Sequence, residues 1–449
     1  MCAACGVPTH VPTLTPPEPA PVALGAQPGP RTAGEQRTGP AKFAALRNKD
    51  CRTYLVGGML SMMADNIEHV ITYWVLWQRF HAPALAGFAV IAHWVPFLLL
   101  SVTFGGLADR YDCRRVIQVA QLLFMAVSVG WGLFFLTDSL TVPAACVLLV
   151  VHGLAGALWG PAEQLMLHDF VGDEALPSAV RLNATARSLG VLFGPVVGAA
   201  LLQGLHPTAG IFTNVLIYLP LTIFLARTRF TGHSRAGEAA RPRLTVAGAL
   251  RVLREVGDDP VIVSQIILGG LGSFFVGASL QSAMPIFAAD DHGWFSADTA
   301  YSVLLFATGA GGVVGGLLLE VTGRLRPTVR TAVASTAVYG AAMLGFAVTR
   351  NLLLSVVLLL VGGVANLASM SIGQTIVQLR APEGKRGQVI GVYGMSANGL
   401  RAGSGFTVGL LGSAIGVHWS LGLSAAALLV GTGLTLLYVL RSAGSEQVG

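Results

Sequence analysis

From about residue 53 onward the chain alternates long apolar stretches with short polar gaps. A helix needs about 20 apolar residues to cross the hydrocarbon core of a bilayer. Twelve stretches reach that length, at 53–77, 84–108, 116–136, 142–164, 183–204, 208–227, 261–288, 298–320, 331–349, 352–378, 388–414 and 418–441. One connection is long, the polar and arginine-rich segment 228–260, and it divides the spans six and six. The predicted fold class is an all-α integral membrane protein of twelve transmembrane helices. Its predicted parts are a disordered tail (1–50), a six-helix bundle (51–227), a basic linker (228–260), a second bundle (261–441) and a short C-terminal tail (442–449).

Composition sharpens this picture. The chain is 53% hydrophobic and 11% charged, against about 25% charged residues in soluble proteins. A soluble chain of this length would need a charged shell, and here lipid must replace it. The 56 glycines agree, because small residues let membrane helices approach closely. The net charge of +6 does not point to nucleic acid, since the basic residues sit singly or in threes between apolar stretches with no aromatic platform. They instead divide by side. Seventeen lie in the gaps after spans two, four, six, eight and ten, and two, Arg79 and Arg350, lie in the opposite gaps. The positive-inside rule then predicts that both termini are cytoplasmic.

The N-terminal tail holds nine of the 22 prolines in its first 40 residues, with no apolar run after a basic start, so no secretory signal is predicted. The five cysteines form no disulfide framework, and the Cys2-x-x-Cys5 pair lacks a second pair with metal-site spacing.

Ionisable groups inside a bilayer are costly and are functional candidates by default. Span one carries Asp65, Glu68 and His69, with Thr72 at the next turn, all on one helical face. Asp65 lies roughly 18 Å along the helix from the cytoplasmic end, near the midplane. His93 in span two, His152 in span four and Arg401 in span eleven add to the set. Spans three, six, nine and twelve carry no charge at that depth, which predicts that they face lipid while the others surround a polar cavity. Two readings of the carboxylates stay open. They carry protons, Asp65 first and Glu68 second, with Arg401 as counter-charge; or they form a buried ion pair with Arg401 that holds the halves together. The predicted cavity lining is His69, His93, His152, Trp159, Gln281, Asn366 and Asn398. Met59, Met62 and Met63 near His69 could suit a soft metal, but such a run is expected to be packing, and no metal is predicted.

Between spans two and three stands Gly105-Gly106-Leu107-Ala108-Asp109-Arg110-Tyr111-Asp112-Cys113-Arg114-Arg115. This resembles the signature loop of the major facilitator superfamily, which often has glycine where Asp112 or Cys113 stands. A weaker counterpart follows span eight, with Gly315, Gly316, Glu320, Gly323, Arg324 and Arg326, and the loops around Gln164 and Gln374 repeat at a similar offset. The resemblance covers residues 50 to 441. It implies two pseudo-symmetric bundles, alternating access to a central site, and a cytoplasmic conformational latch built from Gly105, Asp109, Arg110, Arg114, Glu320 and Arg324.

Span five carries Gly190-x-x-x-Gly194-Pro195-x-x-Gly198-Ala199, similar to the antiporter motif of exporters in this superfamily. His152, four residues before Gly156, takes the place of an arginine in the best-described proton-coupled drug antiporters, so their coupling scheme does not carry over intact. Asn183-x-x-x-Arg187 looks more like the branch that exports siderophores and macrolides. The resemblance implies a monomeric, proton-coupled exporter of small amphipathic molecules in a bacterial inner membrane, working on lipid, protons and a small-molecule substrate without a cofactor. The alternatives are a metabolite importer on the same fold and a membrane sensor without transport. No nucleophile–base pair, H-E-x-x-H or phosphate-binding loop points to an enzyme.

Overall fold

The computed structural model describes residues 42–445 apart from 82, 235–251, 253, 278, 289–296, 324–325, 383, 406 and 408–410. Within them the predicted apolar stretches are helical. They form α1 (Lys49–Phe80), α2 (Pro83–Arg110), α3 (Cys113–Leu136), α4 (Val142–Arg227), α5 (Pro260–Phe275), α6 (Ser279–Ala288), α7 (Ala297–Thr322), α8 (Val329–Val348), α9 (Leu352–Arg380), α10 (Arg386–Ala397), α11 (Leu411–Ile415) and α12 (Val417–Ser445). Seven described helices are long and apolar enough to cross a membrane, the 86-residue α4 counting as one.

Local chemistry explains the boundaries. Asp112 caps α3 by accepting from the Arg114 amide, and Asp259 caps α5 by accepting from Val261 and Ile262 just ahead of Pro260 at the first helical position. Thr328 and Thr331 form a reciprocal capping box on α8, and Asn351 caps α9. α4 reverses where the backbone leaves helical geometry, at Gly172 (φ 71°) and at His206 (φ 60°), the residue before Pro207. Its three segments correspond to predicted spans four, five and six. Spans seven and eleven are broken: Gly277 (φ 37°) separates α5 from α6, and a 3-10 turn, Gly399–Gly403, follows α10.

The buried apolar side chains gather mainly within each half of the chain. Two clusters draw on α1 to α4, around Tyr54, Phe124, Phe170 and Trp131, and another draws on α5 to α12, around Phe287, Phe346 and Leu421. Ile390 of α10 joins the cluster around Tyr54, and Val102 of α2 shares a cluster with Val389 and Tyr393 of α10, so apolar packing also spans the two halves. Large apolar residues such as Leu99, Val147, Leu353 and Val430 remain exposed, as lipid-facing positions require.

The predicted tail boundary at residue 50 shifts. A 3-10 turn occupies Ala44–Arg47 and α1 starts at Lys49, because the amides of Phe43 and Ala45 bond to Glu320 and Ser178. Of the linker, residues 228–234 fold against the α2–α3 turn, with the Cys113 amide bonding Thr231 O and the Gly232 amide bonding Asp169.

Candidate functional site

The glycine stripe of the second α4 segment determines where α1 can lie. An added Cβ at Gly190 would meet Met59 O at 2.8 Å, one at Gly194 would meet Asn66 Cβ at 2.4 Å, and one at Gly198 would meet Val70 Cβ at 3.1 Å. Gly190, Gly194 and Gly198, with Pro195 inside the same segment, thus hold the Met59–Val70 face of α1 in near-backbone contact. The opposite face, carrying Asp65, Glu68 and His69, is turned to α2, α3 and the first segment of α4. Gly153 does the same for α2, since a Cβ there would sit 2.0 Å from Ala92 O. That close approach sets His93 beside His152, with ring centroids 5.6 Å apart.

His152 is the centre of the resulting cluster. Its Nε2 lies 2.8 Å from Asp65 Oδ1 and its Nδ1 lies 2.9 Å from Glu68 Oε1. Glu68 Oε2 accepts a hydrogen bond from Ser128, and Asn214 donates to Ser128 at 3.5 Å. His69 Nδ1 stands 3.7 Å from Asp65 Oδ2. Phe124 meets the His152 ring edge-on and stacks on Tyr218, which walls the cluster with apolar surface. Two hydrogen bonds around one imidazole need two bridging hydrogens. An imidazolium between two carboxylates supplies both, and so does a neutral imidazole beside one carboxylic acid. The cluster therefore holds a defined number of protons, and losing one sets two lone pairs against each other.

The ring nitrogens of His69, His93 and His152 lie within 4.8 Å of one another. Such spacing can suit a metal, but both His152 nitrogens already face carboxylate oxygens, and the set reads as an acid–imidazole array.

Arg401 is not the counter-charge to these acids. Among the described residues its guanidinium makes no ion pair; it lies over the Trp94 ring, 4.8 Å from the centroid, and its buried Nε has no partner. His152 occupies the place against Asp65 and Glu68 that the sequence reading gave to Arg401, because it reaches both carboxylates from the adjacent α4 segment. Trp159 is buried beneath Arg187, whose guanidinium stands 5.3 Å from the ring centre and also pairs with Glu163. Asn366 and Asn398 are partly buried, and no described hydrogen bond joins either side chain to the cluster. The side chain of Gln281, and Arg324, lie outside the described residues.

Sequence reasoning missed Ser128, Asn214 and Trp94. The first two sit on spans read as lipid-facing supports, and a lone serine or asparagine there carries no periodic signal. These spans face lipid on one side and still back the acid cluster on the other.

At the end of the helices that carries most of the arginines, two carboxylates cross between the halves. Asp109 accepts from the amides of Gly387 (2.6 Å) and Gln388 (2.9 Å) at the start of α10. Glu320 of α7 is fully buried and accepts from Ser178 (2.5 Å), from Arg181 (2.8 Å) and from the Phe43 amide (2.7 Å). The two contacts are pseudo-symmetric, each joining the helix that precedes a glycine–arginine turn to the start of a helix in the other half. Gln378 donates to Gln164 at 2.9 Å, and Arg386 meets His168 at 2.7 Å, so this end is closed. Gly105 packs backbone to backbone on Gly387, where an added Cβ would lie 2.1 Å from Gly387 O. Arg114 stays within its own half, bonded to Asp112 and to Thr228 O, and Arg110 lies over the Tyr111 ring.

The sequence matches the transmembrane secretion effector family over residues 40–448. It is 25% identical to the multidrug efflux pump Tap of Mycolicibacterium fortuitum, over 86% of this chain and 95% of that protein. It is 19% identical to the staphyloferrin A transporter of Staphylococcus aureus, over 78% and 87% of the two chains. The fold superposes on the proton:xylose symporter XylE with a TM-score of 0.68 at 14% identity, covering 89% of this chain and 96% of that one. Helical architecture, cross-half carboxylate contacts and the sequence match over residues 40–448 agree: the chain is a multi-pass membrane transporter, not an enzyme, and belongs to the transmembrane secretion effector family of the major facilitator superfamily.

Proposed function

We propose that the protein is a proton-coupled antiporter that exports small amphipathic molecules from the cytoplasm by alternating access, with the arginine-bearing end on the cytoplasmic face of a bacterial inner membrane. The Asp65–His152–Glu68 cluster carries the reading. It is buried, it holds two carboxylates around one imidazole, and its hydrogen bonds survive only at a fixed proton count. Removing a proton frees Asp65 from His152, and returning it restores the bond, so the cluster couples protonation to the position of α1. The span-five glycine stripe on α1 then passes that movement to the rest of the first half. Export is supported by the antiporter-type motif and by the relatives named for efflux.

The test uses everted vesicles carrying wild type or Asp65→Asn under an imposed proton gradient. Siderophores, macrolides, dyes and metabolites are added in turn. A compound that dissipates the gradient in wild type and not in the variant is the expected result. Equal dissipation in both overturns the role of Asp65, and uptake confined to right-side-out vesicles overturns export in favour of import.

A further inference from the structure

Among the described residues, the breaks in spans seven and eleven lie side by side. Ser273 Oγ near the end of α5 donates to Ala397 O at the end of α10, at 2.5 Å, and Thr407 Oγ1 donates to Phe274 O at 2.9 Å. An added Cβ on Gly403 would lie 2.4 Å from the Phe274 ring, and one on Gly399 would lie 2.5 Å from Leu98 Cα of α2. The two breaks are therefore packed on each other and against the first half. Irregular backbone at membrane depth is tolerated where protein buries it or where it lines a cavity, and broken helices are where transporters build binding sites.

Arg401 projects from this turn. Most arginines that the structure describes near the protein interior have an acid: Arg181 has Glu320 and Arg187 has Glu163. Arg401 has none within ion-pairing distance among the described residues. Its guanidinium makes no described hydrogen bond, its buried Nε is unpartnered among the described residues, and it lies over the face of Trp94. The acids of the first half do not answer it, because Asp65 and Glu68 are engaged by His152. A guanidinium stacked on an aromatic face keeps its planar edge free, and that edge matches a carboxylate with two parallel hydrogen bonds. Beside it, Trp94 and Phe97 stand 5.7 Å apart and Trp94 meets His93, so an aromatic surface adjoins the Arg401 cation.

We propose that Arg401 and Trp94 form the substrate-recognition site for an organic anion, a molecule with a carboxylate next to a flat or apolar body. The inference rests on the proposed export and narrows its substrate class from amphipathic molecules in general to amphipathic carboxylates. The carboxylate takes the Arg401 fork, the apolar body lies along Trp94 and Phe97, and the substrate itself supplies the charge that no described residue matches. Carboxylate binding uses residues other than those of the proton-holding cluster; His93 adjoins both, its ring centroid 4.6 Å from that of Trp94 and 5.6 Å from that of His152.

Binding, measured without transport, tests this apart from proton coupling. Purified protein in lipid nanodiscs is titrated with fusidate and with naphthylacetate, each against its own methyl ester, by tryptophan fluorescence and thermal shift. Wild type is expected to prefer acid to ester by at least roughly tenfold, the effect of a charge-assisted bond. Arg401→Gln is expected to abolish that preference, Arg401→Lys to keep part of it, and Asp65→Asn to leave it intact even where gradient dissipation is lost. Equal binding of acid and ester by wild type, or absence of binding by either acid, overturns the proposal without any variant. An acid preference retained in Arg401→Gln also overturns it. Loss of gradient response in Arg401→Gln with the acid preference unchanged would make Arg401 a partner of Asp65 in another conformation instead.

Discussion

Asp109 and Gly387 meet across the two halves, carboxylate to backbone amide at 2.6 Å, and the adjoining Gly105 leaves no room for a side chain on either helix. A carboxylate at the start of α10 satisfies two amides that have no partner within their helix and opposes the positive end of the helix dipole.

Asp109→Asn should therefore loosen the closed end while keeping its shape. The loss of a charge-assisted contact is about 1–2 kcal/mol, or roughly tenfold in the closed population. Gly387→Ala should do more, since its Cβ would sit 2.5 Å from Gly105 O. Thiol labelling of a cysteine placed at Gln378 checks both: labelling from the arginine-bearing side should rise in Asp109→Asn and rise further in Gly387→Ala. Unchanged labelling in both would mean that the contact does not govern closure.

Removing His152 should be the most damaging single change in the acid cluster. His152→Ala removes the imidazole that bridges buried Asp65 and Glu68, leaving them Ser128 and the more distant His69, a loss of about 3–5 kcal/mol for a broken buried pair. Ser128→Ala removes one neutral donor to Glu68 and should cost about 1 kcal/mol. Thermal unfolding in micelles should rank the two in that order. The reverse order would show that the imidazole is dispensable to the fold.

Much of the architecture is legible in the sequence because lipid imposes it. An apolar run of spanning length can only be a helix there, and the glycine–arginine turn after α2 and the span-five glycines mark where helices touch. Asp65, Glu68, His93 and His152 are legible for the same reason, as charges and imidazoles in apolar helices. The pairing among them is not legible. Arg401 and His152 both offer a cation to Asp65, and only the three-dimensional crossing of α1 with α4 decides for His152. Nor does the sequence show that span seven breaks beside span eleven, since Gly277 is one of 56 glycines and only its φ of 37° sets it apart.

The glycine stripe gives a prediction with an internal control. At Gly194 an added Cβ would lie 2.4 Å from Asn66 Cβ, whereas at Gly204, in the same α4 segment, it would meet nothing within 4 Å. Gly194→Ala should push α1 away, part Asp65 from His152 and reduce gradient-driven transport by at least about tenfold, a strain of roughly 1–3 kcal/mol. Gly204→Ala should leave transport within about twofold and stability unchanged or slightly raised. Equal effects of the two substitutions would mean that close approach of α1 is not what the stripe provides.

Glu320 and Arg181 offer the sharpest energetic test, because Glu320 is fully buried and Arg181 lies against one of its oxygens at 2.8 Å while Ser178 and Phe43 occupy the other. Arg181→Gln leaves a buried carboxylate without its cation, held only by Ser178 and the Phe43 amide, and should destabilise by about 3 kcal/mol. Glu320→Gln keeps an acceptor for Ser178 and the Phe43 amide and should cost less. The double variant should recover part of the Arg181→Gln loss, leaving a coupling energy above about 1 kcal/mol in a thermal-unfolding cycle. Additive losses would place the stabilisation in the backbone contacts of the 43–47 turn, and the ion pair would then be incidental to closure.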